Sequence, residues 1–424
     1  MIHTPSVPAP SRSAHDAGGL RHRPLAARAP LAGLVLGACL AAPLPGVAQL
    51  PVGPSVAHGT ASIATVGSQM TVTNSANAVI NWQGFSIGAS HGVHFAQPSA
   101  ASQVLNRVTG RDPSHILGSL SSNGGVWLIN PHGVLFGPNA RVDVAGLVAS
   151  TLDIADADFL AGRYRFAGAE GLESAEVLNQ GELRTSFGGR VWLLGGEVKN
   201  EGLIEAPGGG IVLAAGQSVA LVDSGAPHVV VEVSAPASAA VNLGTLTASG
   251  GRIDLHAGIV NQDGIVRADR VGTGAAGQVV LEAATELGLG EASETRAAGG
   301  HVRLAGETVN HRGEVSAEAI EVAATDLLQQ GRLLAPGGRV TLSAERTTYL
   351  DGAVDVSDPA GTGGAIELAT GRLEGMAGGS LLADGLAGGT IRVEGGGAVA
   401  FSSTLSAVGT SLGGRIEVTG DTVY

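Results

Sequence analysis

From Gly188 to the C-terminus, short runs of apolar residues alternate with polar ones, and paired glycines open most of these runs. A period of two sends successive side chains to opposite faces of a strand, so each run predicts a short β-strand with one buried face. The recurring unit is two glycines, any residue, then apolar–any–apolar. It reads GGRVWL (188–193), GGGIVL (208–213), GGRIDL (250–255), GGHVRL (299–304), GGRVTL (337–342), GGAIEL (363–368), GGTIRV (388–393) and GGRIEV (413–418), with AGQVVL (276–281) as a weaker copy. Neighbouring copies lie 20–26 residues apart, apart from two gaps of about double that. A second motif often precedes the first, at Asn179-Gln180-Gly181, Asn200-Glu201-Gly202, Asn261-Gln262-Asp263-Gly264 and Asn310-His311-Arg312-Gly313. Gln329-Gln330-Gly331 keeps its shape without the asparagine.

Each repeat therefore predicts strand, glycine turn, strand. A period in this range marks a solenoid, in which every coil buries its apolar face against its neighbours. The two-residue alternation and the glycine exclude helical solenoids, and the leucine spacing of leucine-rich repeats is missing. The fold class predicted is all-β: a right-handed parallel β-helix whose N-terminal region supplies a cap, since an open end would expose strand edges. Glycine suits the corners, and asparagine tolerates left-handed turns and stacks in ladders. About 16 coils stacked at ~4.8 Å would make a rod on the order of 75 Å long.

Composition supports this. Of 424 residues 67 are glycine, 14% are charged and 3% aromatic, while 44% are hydrophobic, which argues against both a helical protein and disorder. The formal net charge is −13 and Lys199 is the only lysine, so no basic patch suits nucleic acid. Cys39 is the one cysteine, which rules out a disulfide framework within the chain.

Residues 1–48 differ from the rest. Arg12, Arg21, Arg23 and Arg28 precede an apolar stretch from Leu31 to about Leu44, and Gly46 and Ala48 follow. This is the order of a secretory signal peptide, with cleavage expected after Ala48. A lipoprotein signal ending at Cys39 is the competing reading. The apolar stretch is shorter than a membrane-spanning helix needs.

Residues 49–160 are less repetitive and more distinctive. They contain Asn81-Trp82-Gln83-Gly84-Phe85, Asn106-Arg107-Val108-Thr109-Gly110, Ile116-Leu117-Gly118, and Ile129-Asn130-Pro131-His132-Gly133-Val134, and they close on Ala149-Ser150-Thr151-Leu152-Asp153-Ile154. Asn130-Pro131 starts a turn in which proline fixes one angle and Gly133 permits a positive one. Taken together, these motifs closely resemble the filamentous-haemagglutinin N-terminal, or two-partner-secretion (TpsA-type), domain, nearest its branch of high-molecular-weight adhesins and haem–haemopexin-utilisation proteins. The family's NPNGI motif falls on Asn130, Pro131, His132, Gly133 and Val134, with His132 in place of the second asparagine and Val134 in place of isoleucine. The other haemagglutinin motif, NPNL, is not evident near Gln97-Pro98-Ser99.

The resemblance implies a domain over residues 49–290 and continuing β-helix repeats over 291–424. It implies export through the Sec machinery and then an outer-membrane TpsB-type transporter with periplasmic POTRA domains, by type V secretion. The motif at 130–134, with Asn106 and Arg107, would be the transporter-recognition element. The product would be secreted or held at the surface of a Gram-negative cell, acting as an adhesin toward a ligand the sequence does not name. Two other roles stay open, a haem- or iron-acquisition surface protein and a carbohydrate-active β-helix enzyme. For the enzyme, no catalytic residue, cofactor or metal site stands out. Asp153, Asp156 and Asp158 read as a solvated turn, His91 and His94 do not converge on a strand, and GxSxG, HExxH and phosphate-loop motifs are missing. Trp127 and Trp192 read as packing against turns or capping surfaces.

Overall fold

A computed structural model describes residues 49–168, 175–223, 229–234 and 238–424. The segment read as a signal peptide, with Cys39, lies outside the described residues. Nearly all strands join one parallel ladder that winds as a β-helix of about 14 turns. Each turn contributes to three faces. Face one stacks Ala78–Trp82, Gln103–Val108, Gly125–Ile129, Gly146–Ser150, Arg190–Gly195 and Gly210–Ala215 in parallel, and continues through every later turn to Arg415–Thr419. Face two stacks Ser114–Ile116, Val134–Phe136, Glu176–Asn179 and Glu197–Asn200. Face three stacks Gly92–Ala96, Ser119–Ser122, Arg141–Val144 and Glu182–Thr185.

The glycine-pair motif accounts for face one. Its two apolar positions point inward and stack as two columns: Val191, Ile211, Ile253 and Val302 in one, Leu193, Leu213, Leu255 and Leu304 in the other, all fully buried. The two glycines serve different ends. At 188, 208, 250, 299 and 337 the first has a positive φ, open to glycine at no cost. The second lies against the turn below: a Cβ on Gly209 would sit 1.7 Å from the Gly189 carbonyl oxygen, closer than any side chain tolerates.

The two double-length gaps in the repeat have different causes. Between 299 and 337 a turn is present without a glycine pair, its strand carrying Ile320 and Val322 inward. Between 208 and 250 the chain leaves the helix. Ser218–Asp223 and Val229–Ser234 form an antiparallel hairpin that joins Asp153–Ile154 and Tyr164–Ala167 in a separate four-stranded sheet. These two excursions remove residues from the coil, which is why about 14 turns form rather than the 16 expected from length alone.

The excursion sheet covers the outside of face one over its early turns and encloses a second core. Trp127 and Trp192, outward neighbours of the inward columns, are buried there with Phe159 and Phe166 and beside Tyr164. Trp127 meets Phe159 edge-on at 5.1 Å between ring centroids, and Tyr164 meets Trp192 at 5.1 Å.

The N-terminal end is capped. Ser55–His58 runs antiparallel on Ala78–Trp82, and the hairpin Ala61–Val66 with Gln69–Asn74 closes face three. Trp82, Phe85 and Phe95 fill the interior behind it.

The asparagine motif forms a buried column at the corner between faces two and three. Asn179 donates to Asn200 at 2.8 Å, Asn200 to Asn242 at 2.8 Å, and Asn242 to Gln262 at 2.7 Å. The register differs from the sequence alignment of the motif. Gln262 and His311 occupy the column rather than Asn261 and Asn310, and Asn310 instead donates to Glu286 at an exposed position.

Candidate functional site

The three most distinctive motifs of residues 49–160 are distant in sequence but end on the same corner of three successive turns. Arg107 pairs with Ile129, and Ile129 with Ser150, as ladder neighbours on face one. Each strand then ends: Gln103–Val108 runs into Thr109-Gly110, Gly125–Ile129 into Asn130-Pro131-His132-Gly133, and Gly146–Ser150 into Thr151-Leu152.

Asn130 is fully buried and organises the middle turn. Its Oδ1 accepts from the His132 main-chain N–H at 3.0 Å, and its carbonyl accepts from the Gly133 N–H at 3.1 Å. Its Nδ2 donates to the Asp112 carbonyl and to Ser114 Oγ, both at 3.0 Å, tying this corner to the one below. Its N–H donates to the Ser150 carbonyl at 2.9 Å, tying it to the one above. Gly133 has φ +119°, a backbone conformation in which a side chain is strained. Val134 is buried and starts the next strand. Only Pro131 and His132 stand half-exposed, so a partner meets these two directly and the other three through the shape they impose. The turn uses the main-chain N–H of residue 132, which any non-proline residue supplies. Histidine in place of asparagine therefore leaves it intact.

Asn106 and Arg107 divide between inside and outside. The Asn106 amide is fully buried; its Oδ1 accepts from Trp82 Nε1 at 3.0 Å and its Nδ2 donates to the Trp127 carbonyl at 3.2 Å. It ties the cap core to the next turn and is out of a partner's reach. Arg107 points outward and latches the excursion onto the helix. Its guanidinium donates to Asp153 at 2.9 Å, to Asp156 at 2.6 Å and to the Ile154 carbonyl at 2.5 Å. Burial works against its charge, but the hydrogen bonds and charges of Asp156 and Asp153 outweigh this and hold its pKa above the ordinary arginine value.

The aspartates read as a solvated turn are thus ion-paired. Asp153 and Asp156 lie in the Arg107 latch, and Asp158 pairs with Arg163 at 2.7 Å. Ser150 and Thr151 mark where the chain leaves the helix: Ser150 Oγ donates to the Leu152 carbonyl at 2.7 Å, and Thr151 Oγ1 to the Ala175 carbonyl at 3.1 Å. Gln97, where NPNL was sought, is buried and exchanges hydrogen bonds with Asn123, through its main-chain N–H at 2.8 Å and its carbonyl at 2.7 Å. Sequence reasoning missed Asn123, Ser114 and the excursion sheet. Of these only the sheet left a signal, the double-length gap after 208 together with the alternating Tyr164-Arg165-Phe166.

Comparison with known proteins agrees with this geometry. The family model for the TPS secretion domain matches residues 50–287. A heme/hemopexin-binding protein of Haemophilus influenzae is 36% identical over 169 residues, 39% of this chain and 19% of that protein. A second heme/hemopexin-binding protein from the same species is 33% identical over 150 residues, 35% of this chain and 16% of that protein. The chain thus spans less than a fifth of the length of these curated relatives. The crystal structure of the HMW1 secretion domain from Haemophilus influenzae superposes with a TM-score of 0.61 at 28% identity, covering 88% of this chain and 96% of that one.

Proposed function

The chain belongs to the TPS secretion domain family, and from that premise we propose that it is the export module of a TpsA-type adhesin, released or displayed at a Gram-negative surface. The family implies an outer-membrane TpsB-type transporter as partner. The finer reading is that the transporter's periplasmic POTRA domains, after delivery by the Sec machinery, engage the corner at 130–134, with Arg107 holding the neighbouring excursion in place. The observation that carries it is the convergence of the three motifs on one corner. The same corner of later turns is built more simply, from Gly195-Gly196 or from Ala-Ala-Thr at 283–285 and 323–325, so three separate turn chemistries at one place are more than closing the coil needs.

The test is secretion from a Gram-negative host with and without the cognate transporter. Mature protein should reach the medium or the surface only with the transporter, and Asn130→Ala should lower that yield severalfold. His132→Ala keeps the main-chain hydrogen bond of the turn and alters only what a partner touches. A loss of export in His132→Ala with unchanged thermal stability marks direct contact. Equal export with and without the transporter would refute the reading.

A second reading, haem or iron acquisition, is favoured by the similarity to the two heme/hemopexin-binding proteins. A haem titration of the purified chain, followed by absorbance, separates it from the adhesin reading: saturable binding supports it, and a linear response removes it.

A further inference from the structure

Arginines on this rod are ordinarily held by a carboxylate one turn away, as in Arg303–Glu321, Arg332–Glu314 and Arg339–Glu367. Arg190 is the exception on face one. It stands in the outward position that opens each face-one strand, filled in successive turns by Gly125, Gly146, Arg190, Gly210 and Arg252. Glycine therefore lies beside it in the turn before and in the turn after, and neither neighbour offers it a side chain. The Arg190 side chain is exposed, lies over the nearly covered Trp192 with 5.8 Å between the guanidinium carbon and the ring centroid, and makes no ion pair among the described residues.

The missing side chains leave two adjoining clefts of about 440 Å³ each, one on either side of Arg190. Gln103, Gly146 and Tyr164 line the first, Gly210, Arg252 and Gln278 the second, and Arg190 lines both. Arg252 is already committed: its Nε donates to both oxygens of the buried Asp254, at 2.8 and 2.7 Å, and its Nη1 to Gln278 Oε1 at 2.9 Å. The uncompensated charge of the two clefts is therefore Arg190. At the far end the corner lengthens. Four residues link Glu205 to Gly210 and four link Thr247 to Arg252, but ten link Arg267 to Gln278, and Ala275 and Ala276 of that longer loop wall the second cleft. At the rim, Phe187 is 85% exposed. Its ring rests on Gly208, where a Cβ would meet three ring atoms within 3.2 Å, so glycine there seats the ring on main chain and leaves its other face open.

We propose that these clefts bind an acidic saccharide, a short run of sugar rings bearing carboxylates, with Arg190 pairing a carboxylate and Phe187 covering the apolar face of a ring. A guanidinium holds a carboxylate through two parallel N–H···O bonds. The C–H groups on one face of a sugar ring carry a slight positive charge and settle on the negative face of an aromatic ring. One unpaired cation and one open ring beside two partly polar clefts suit a ligand that is cyclic, hydroxylated and anionic. An acidic peptide shares the carboxylates but lacks the flat ring face that Phe187 is placed to cover. As the ligand class of the adhesin, the saccharide rests on that reading. As a binding site, the clefts lie two turns beyond the 130–133 corner and at the opposite end of the face-one strands, so binding and export are separable.

The experiment applies the purified full chain to an array of short carboxylate-bearing oligosaccharides, from host glycans and from bacterial envelope polysaccharides. Each stands beside its carboxyl-reduced, neutral counterpart and beside oligoglutamate. Retention by acidic saccharides above both controls is expected, and the set that retains the chain assigns the source. For a retained saccharide, Arg190→Gln should weaken binding about tenfold or more and Phe187→Ser about fivefold, with the melting midpoint unchanged because both side chains are exposed. Gly210→Gln fills the second cleft from its floor and should weaken binding as much as Arg190→Gln. The nearest atom to a Cβ at Gly210 is the Arg252 carbonyl oxygen at 3.9 Å, so the fold accommodates the change. No retention of any saccharide, equal retention of the neutral counterparts or of oligoglutamate, or wild-type affinity in both Arg190→Gln and Gly210→Gln would each overturn the proposal and leave the export reading standing. Transporter-independent secretion of a chain that still binds its saccharide would overturn the export reading alone.

Discussion

His311 lies inside the coil, where its Nδ1 faces Gln329 Oε1 at 2.8 Å and its Nε2 meets no partner. Gln329 Nε2 donates to the Gly331 carbonyl, so its Oε1 is the acceptor and the imidazole carries its proton on Nδ1. Burial pushes the His311 pKa down from 6.5 to about 4, the hydrogen bond to Gln329 opposing this only in part. Above pH 6.5 the imidazole is neutral whether the chain is folded or not, and its full contribution to stability is present. As pH falls from 6.5 toward 4 the unfolded chain takes up a proton that the folded chain does not. Stability is then lost by up to about 3 kcal/mol, and no further below the folded value. His311→Gln keeps an amide in the column and removes the titration. Denaturant unfolding at pH 7 and pH 4.5 should show a smaller acid loss in the variant than in the wild type. Equal losses would mean that His311 is solvated in the folded state. Residue-scale reasoning from sequence did not find this group, because Asn310 beside it fits the repeat and His311 does not.

The column that His311 joins is an element in its own right, formed from the last residue of each face-two strand. Asn179, Asn200 and Asn242 each donate from Nδ2 to the amide oxygen one turn on, and Gln262 ends the run by donating to the Gly264 carbonyl, so these donors and acceptors satisfy one another. The same column accepts Leu289 and Leu350 elsewhere, so side-chain size is not what the asparagines supply. Asn200→Leu should therefore destabilise by roughly 2–4 kcal/mol, because it leaves the Asn179 donor and the Asn242 acceptor buried without partners. Urea unfolding measures this, and a loss under about 1 kcal/mol would mean that water or a shifted neighbour replaces the amide. The excursion sheet is the other element with a role of its own. It turns the outward face of the early strands into a second core, and Arg107 fastens it beside the 130–133 corner.

Beyond the turns that the excursion sheet ties together, each turn packs on the turns directly before and after it, so stability there accumulates along one axis. A buried charge late in the rod should therefore act locally. Val393 is fully buried between Leu368 and Val418, and Val393→Asp places a carboxylate there with no partner. Hydrogen exchange should lose protection over 390–423 and retain it over the strands between 78 and 215. Loss of protection throughout would show that the rod unfolds as one cooperative unit. Charge is also distributed on this scale, with an uncharged capped end followed by turns laced with ion pairs, and the 130–133 corner lies close to the boundary between the two, where Arg107 is the first charged residue after the cap.

The repeat and its fold were legible in the residues themselves. GGRVTL at 337 and GGTIRV at 388 specify a turn, an inward pair and an outward residue by period and backbone freedom alone, and stacking them in parallel follows from burying one face. The turn at 130–133 was legible too, because proline and glycine set backbone angles locally. Tertiary structure alone decided what depends on contact between turns. Asn106 is an interior tie and Arg107 an exterior latch although they are adjacent, because alternation sends neighbours to opposite sides and only the packed helix says which side is which. The convergence of residues 107, 130 and 150 on one corner depends on the length of each coil. The second core depends on a sheet built from segments some 60 residues apart, which no single strand contains.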